Sequence, residues 1–200
     1  MSIWDRGGYM VSYKEFDDNK KRCKWCNPRN PKYIEYHDNE WCQTNFDEKY
    51  LYEMLLLESF QAGLSWECVL NKRENFRKAF DNFDIDKVCS YDDKKFEELL
   101  NNKEIIRNKL KIKAAINNSR IFKTIINKYG TFYNYLKSFC GDEIVYEIDK
   151  TTNDLSDRIS YDLQKRGMKF VGSTIIYSYL QAIGIIYSHD KECYLYEERL

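Results

Sequence analysis

A chain of 200 residues, 43% hydrophobic and 32% charged, is long enough to bury one medium core and too apolar to stay disordered. Its 32 basic residues balance its 32 acidic ones, which excludes a globally basic coat for nucleic acid but leaves a local basic face open. The longest apolar runs, Met54 to Leu57 and Ile183 to Ile186, are far below a membrane span, and no apolar leader follows Met1, so a cytoplasmic chain with no membrane partner is expected.

Residues 1–21 are polar and weakly patterned and are read as an N-terminal extension or flexible arm, with 22–200 as the working domain. Trp25, Tyr33, Tyr36 and Trp41 follow, interleaved with Pro28, Pro31, Asp38, Asn39 and Glu40. That stretch is too polar and broken for a helix stripe, and aromatics on irregular backbone either cover a core or line a site that grips a flat ligand. From Asp47 the pattern turns helical, with Leu51, Leu55, Glu58 and Ala62 on one face and Gly63 as the stop. Ser65 caps a second helix, and further helices fit Tyr91 to Leu100, Leu110 to Lys128, Phe132 to Phe139, Leu155 to Arg166 and Ser173 to Ile183, the last stopped by Gly184. Ile144 to Ile148 is the one strand-like run. The pattern predicts an all-α fold of seven or eight helices.

Seven cysteines at irregular spacing, an odd number, speak for reduced thiols rather than a disulfide framework. Cys68, Cys89 and Cys140 sit among apolar neighbours and are read as core packing. The chain has two histidines, and each has cysteine company: His37 lies fourteen residues after Cys23, and His189 four before Cys193. Two sulfurs and two nitrogens suit tetrahedral zinc, which would clamp the two ends of the chain together. A surface histidine and a free thiol at each end is the alternative, and Cys26, in a C-x2-C pair with Cys23, competes for the ligand role.

Glu58 stands in an apolar stripe, where a carboxylate must be hydrogen-bonded, paired or protonated. It is read either as a core hydrogen-bond partner or as the floor of a pocket. Between Lys103 and Lys128 eight basic residues face Glu104 alone, and Lys165, Arg166 and Lys169 form a second cluster. Leu163 to Ile175 reads helix, tight turn, helix. Gly172 gives close backbone access there, and Ser173 and Thr174 open a helix whose free N–H groups can hold a phosphate. A hairpin of that kind grips the DNA backbone without reading sequence.

Tyr33-Ile-Glu-Tyr-His-Asp-Asn-Glu-Trp41, Leu57-Glu58, Gln61-Ala-Gly-Leu-Ser-Trp66, Asn71-Lys-Arg-Glu-Asn-Phe76, Ile105-Ile-Arg-Asn108, Lys165 to Gly172 and His189-x3-Cys193 occur in one order over residues 22–193. With these motifs the chain resembles the 3-methyladenine DNA glycosylase I family of the helix-hairpin-helix DNA glycosylase superfamily. The resemblance implies an enzyme that flips 3-methyladenine out of alkylated double-stranded DNA and hydrolyses its bond to the sugar, without lyase activity, and that works as a monomer. Residues 22–200 would be the glycosylase domain. It implies that Cys23, His37, His189 and Cys193 hold one structural zinc. Glu58 would contact the polar edge of the base, with Trp66 stacked on it and Tyr36 hydrogen-bonding in the pocket. Trp25, Tyr33 and Trp41 would complete the aromatic wall. Leu64 would be the wedge entering the gap left by the flipped nucleotide, while Gly172, Ser173, Thr174 and Lys169 hold the DNA backbone. The chain departs from the family pattern at Cys42, where a glycine is common.

A DNA-binding module without catalysis would not need Glu58 and the aromatic set together. A zinc hydrolase or deaminase is disfavoured, because His37-Asp-Asn-Glu40 lacks H-x-E spacing and four protein ligands leave no open position for water.

Overall fold

In the computed structural model, residues 19–196 are described, together with Ile3–Trp4 and Met10–Val11. The last two segments are short antiparallel strands, β1 and β2, in register Ile3 with Val11. Of the expected 1–21 arm, the other residues up to 18 lie outside the described residues.

A helix occupies the aromatic stretch that was expected to be irregular. Asn30 caps α1, Pro31–Asn39, by accepting a hydrogen bond from the Lys32 N–H, and Pro31 takes the first turn, where its missing N–H costs nothing. Tyr33 and Tyr36, three apart, therefore share one face, while the polar Lys32, Glu35 and Asn39 are exposed on the other rather than breaking the helix.

Asp47 caps α2, Glu48–Gln61. The expected single stripe understates this helix: every residue from Leu51 to Phe60 is buried, as befits a helix surrounded by others. Around it pack α3 (Trp66–Leu70), α7 (Lys109–Tyr129), α8 (Phe132–Cys140) and α10 (Ser173–Ala182). The shorter α4 (Arg73–Ala79), α5 (Ile85–Cys89) and α6 (Asp93–Asn101) complete one side, and α9 (Asp154–Lys165) packs on α10 and α8. The all-α class holds, with ten helices among the described residues rather than seven or eight. Short elements such as α3 and α5, five residues each, have too few turns to show a period.

The strand-like run is shorter than expected. β3, Val145–Tyr146, pairs in parallel with β4, Ile186–Tyr187. Gly184, at φ +76°, ends α10 and brings the chain so close to Gln43 and Thr44 that a Cβ would lie 2.5 Å from their backbone. Cys42 N–H also donates to Gln181 O at 2.9 Å, so the segment after α1 lies along the end of α10. Both ends of the domain thereby meet beside α2. Cys68, Cys89 and Cys140 are half-buried rather than core.

Candidate active site

Where these ends meet, a cleft of about 350 Å3 is lined by Trp25, Tyr33, Tyr36, Trp41, Glu58 and Trp66. All six pocket residues expected from the sequence are thus brought together. Trp25 sits 5.2 Å from Tyr33 and 4.7 Å from Trp41 by ring centroids, and Tyr36 lies 5.3 Å from Trp66. Ser65 accepts a hydrogen bond from the Cys68 N–H and so fixes the start of α3 and the place of Trp66. The next residue, Glu67, accepts from Asn27 at 2.9 Å and Asn30 at 2.8 Å, which ties the Trp66 helix to the head of α1.

Glu58 comes up from the middle of α2, fully enclosed, and its Oε2 has no hydrogen-bond partner. Burial alone pushes its carboxyl well above the usual carboxylate range, because no neighbouring charge offsets the lost hydration. Gln61, one turn further on the same face, presents an unpartnered Oε1, and the Trp66 indole N–H is likewise unpartnered. Burial first, and the Glu58 carboxyl second, push the Tyr36 phenol well up, so it stays a neutral donor. The cleft therefore offers flat aromatic faces and several unused polar groups on a buried floor. Sequence reasoning did not single out Gln61, Ser178, Gln181 and Ser188, which also line it. Gln61 follows Glu58 by one helical turn and stands in the 61–66 motif, whereas Ser178 and Gln181 at α10 and Ser188 after β4 show no pattern relative to Glu58, because only the tertiary fold carries them to the cleft.

Beside this cleft Cys23, His37, His189 and Cys193 converge, all buried, with their ligand atoms within 4.8 Å of one another. Sulfur to nitrogen separations are 3.4 Å for Cys23 to His189, 3.4 Å for Cys193 to His37 and 3.5 Å for Cys193 to His189. Tetrahedral bonds of about 2.3 Å to sulfur and 2.0–2.1 Å to nitrogen require roughly such separations. The set can therefore hold a metal ion. His37 Nδ1 faces Asp38 at 2.8 Å, and Asp38 is clamped by Arg22 at 2.6 and 2.8 Å, the outer-shell partner a metal-bound imidazole requires. Cys26 is turned away, its thiol donating to Tyr33 O at 3.7 Å, and burial pushes that thiol up to about 12.

The helix-turn-helix is α9 and α10, with the turn at 166–172. Asn118, buried on α7, brackets it: its Nδ2 donates to Lys169 O at 2.8 Å and its Oδ1 accepts from Lys169 N at 2.9 Å. Lys169 and Thr174 are exposed, and Gly172 precedes α10 with no side-chain cap. Nothing in the chain lies within 4 Å of a Cβ at Gly172, whose φ of −63° any residue adopts, so no internal contact demands a glycine there. The Ser173 hydroxyl is engaged by Asp157 and Ser156. Leu64 projects from the Gly63 turn and is 41% exposed.

The basic run on α7 is not one face. Lys111 is turned inward, Arg120 donates to Cys89 O and Lys123 pairs with Asp86. Lys103, Arg107, Lys109 and Lys113 are exposed around its first turns. Arg73, in the 71–76 motif, is structural: it donates to Glu53 at 2.6 Å and to Glu40 at 2.7 and 2.9 Å, joining the end of α1 to α2 and α4. Among the described residues no helix is long and apolar enough to cross a membrane.

The model of the methyladenine glycosylase family matches residues 25–196. DNA-3-methyladenine glycosylase 1 of Escherichia coli (strain K12) is 41% identical over 183 residues, covering 88% of this chain and 97% of that protein. A crystal structure of a 3-methyladenine DNA glycosylase I superposes with a TM-score of 0.84 at 38% identity, over 88% of this chain and all of the other. The Staphylococcus aureus 3-methyladenine DNA glycosylase I, solved for its recognition of 3-methyladenine, gives 0.80 at 30% identity over 86% and 94%. With its cleft, its helical frame and this match over nearly all described residues, the chain belongs to the methyladenine glycosylase family.

Proposed function

We propose that this protein is a DNA-3-methyladenine glycosylase that hydrolyses the bond between the flipped base and its sugar and leaves an abasic site. Family membership supports the activity, and the observation that carries the assignment of the site is Glu58, a buried carboxylate with an unused oxygen in an aromatic cleft. Methylation at N3 gives the adenine a positive charge while it is attached to the sugar. Aromatic faces hold such a cation more strongly than a neutral base. Trp66 supplies the stacking face, Tyr36 a hydrogen bond, and Trp25, Tyr33 and Trp41 the remaining wall.

Glu58 loses its proton when the cation arrives, because the positive charge replaces the hydration that burial removed. The carboxylate then accepts from the exocyclic amine. The base leaves as neutral 3-methyladenine, water adds to the sugar carbon, and the water's proton is released. The cationic base is already a good leaving group, so most of the protein's task is extrusion, which costs a few kcal/mol. Leu64 fills the gap in the stack, and Lys169, Thr174 and the N–H groups after Gly172 hold the backbone.

The cluster of Cys23, His37, His189 and Cys193 suits one zinc, and its two thiols and two imidazoles are the donor set of structural sites. Four protein ligands leave no position for water, so zinc would supply a clamp between the chain ends rather than chemistry. Action in the cytoplasm is consistent with the free cysteines.

Methylated duplex DNA incubated with the protein should release 3-methyladenine, seen by chromatography, with the strands uncut until alkali is added. Absence of released base would overturn the reading, and direct strand cleavage would overturn its monofunctional part.

A further inference from the structure

Lys111 is a lysine that the fold has taken out of solution. It lies in the first turn of α7 and is only 7% exposed. Its Nζ donates to Phe60 O at 2.7 Å and to Ala62 O at 2.6 Å. Those carbonyls belong to the end of α2, where the last four C=O groups have no partner within the helix. A cation there also meets the negative end of the helix dipole. Among the described residues no carboxylate pairs with this ammonium, and burial lowers its proton affinity. A stem that serves only packing does not require such a charge.

The carbonyls that Lys111 holds flank Gln61 and lead directly into Gly63 and Leu64. Beyond Leu64 come Ser65 and Trp66. The same ammonium lies 5.9 Å from the centre of the Phe170 ring, in the turn between α9 and α10. Seven residues further along α7, on the same face, Asn118 brackets Lys169 with two hydrogen bonds. Seven residues are two turns, or about 10.5 Å of helix. One rigid helix thus grips the Leu64 turn at one point and the DNA-gripping turn at another.

We propose that Lys111 is a positioning residue that holds the Leu64 turn in register with the α9–α10 turn, so that phosphate contact at one drives insertion at the other. The proposal rests on the reading of Leu64 as the wedge. Two points of contact on DNA can strain a base pair only if the spacing between them is fixed. A turn free to give way would leave the wedge outside the stack while the pocket and the phosphate grip remained intact.

The test uses Lys111→Met, which keeps the length of the stem and removes the charge and donors. Single-turnover base release is measured from a duplex with 3-methyladenine paired to thymine, and from one with the lesion opposite an abasic site, which is cheaper to extrude. Free 3-methyladenine affinity is measured on the same protein. Release from the paired lesion should fall roughly 10- to 100-fold, as for a reacting group displaced by a remote change. The unpaired lesion should be affected much less, and the free base should bind within about twofold of the unmodified protein. A structural role alone would lower both rates together, and that result, or no change in their ratio, overturns the proposal. Lys111→Gln, which keeps one donor, is read by the same ratio if Lys111→Met does not fold. Leu64→Ala is the companion. If it changes the ratio and Lys111→Met does not, Lys111 fails alone; if Leu64→Ala leaves the ratio unchanged, the wedge reading falls and the Lys111 proposal falls with it.

Discussion

The Trp41 ring meets the His189 imidazole edge-on, with centroids 4.8 Å apart, and the same indole lines the cleft above Glu58. Trp25 likewise packs on His37 at 5.3 Å. Base pocket and Cys/His cluster therefore share a wall, and whatever holds the cluster together also shapes the pocket.

One zinc per chain is expected by elemental analysis of protein purified without chelator. Cys193→Ser should remove it, lower the melting temperature and weaken 3-methyladenine binding, since two pocket tryptophans rest on the cluster. Cys140→Ser, at a half-buried thiol far from it in sequence, should do none of these. Metal retained by Cys23→Ser but lost from Cys26→Ser would show that the ligand set is misassigned.

Two glycines should behave oppositely. Gly184→Ala forces a Cβ to 2.5 Å from backbone that cannot swing aside, so a loss of roughly 2–3 kcal/mol is expected in denaturant melts. Gly172→Ala meets nothing in the chain and should change stability by less than about 0.5 kcal/mol. Its duplex affinity should nevertheless fall, because a phosphate approaching α10 would meet the new methyl. Unchanged DNA affinity would show that the backbone is gripped elsewhere.

Binding to undamaged duplex should weaken steeply with salt and show little preference among sequences, since each phosphate contact releases counterions. Lys169→Ala should reduce the slope of log affinity against log salt by about 1. Strong preference for one undamaged sequence would contradict a grip confined to the backbone.

Much of the site was legible because its chemistry needs unusual residues in unusual places. A glutamate within an apolar helix, two histidines each with a cysteine, and a Gly-Ser-Thr helix start are all visible without a structure. The irregular backbone expected around Tyr33 and Tyr36 was wrong because helix α1 turns its polar residues outward, and a nine-residue helix offers too few turns to display a period. The inward turn of Lys111 was hidden for a different reason. Its partners are backbone carbonyls, and a carbonyl leaves no mark in a sequence. Asn118 was missed for the same reason, and Gln181 because only the fold carries α10 to the cleft.

Trp66→Ala should weaken binding of free 3-methyladenine by about 1–3 kcal/mol, the worth of one aromatic stacking platform. Affinity for undamaged duplex should stay nearly constant, because the phosphate contacts lie on the α9–α10 turn. Calorimetric titration with the free base, beside a duplex titration, separates the two.

Glu58 should be kept at a cost in stability, and the cost should depend on pH. The folded protein holds the Glu58 proton far more tightly than the unfolded chain, whose carboxyl titrates at about 4.3, the ordinary glutamate value. The contribution of Glu58 to stability is therefore greatest below that pH and declines as pH rises toward the raised folded value. Glu58→Gln removes the titration, so its gain in melting temperature should be larger at pH 8 than at pH 5. An equal gain at both would mean that the carboxyl is not buried as described.

The most direct measurement is single-turnover release of 3-methyladenine from methylated duplex by Glu58→Gln beside the unmodified protein at pH 7.5. Loss of one charged hydrogen bond in a dry cleft corresponds to about 2–4 kcal/mol, or roughly 30- to 1000-fold slower release. The variant's melting temperature should be equal or higher, so that the loss cannot come from unfolding. Release at the unmodified rate would contradict the placement of the base against Glu58.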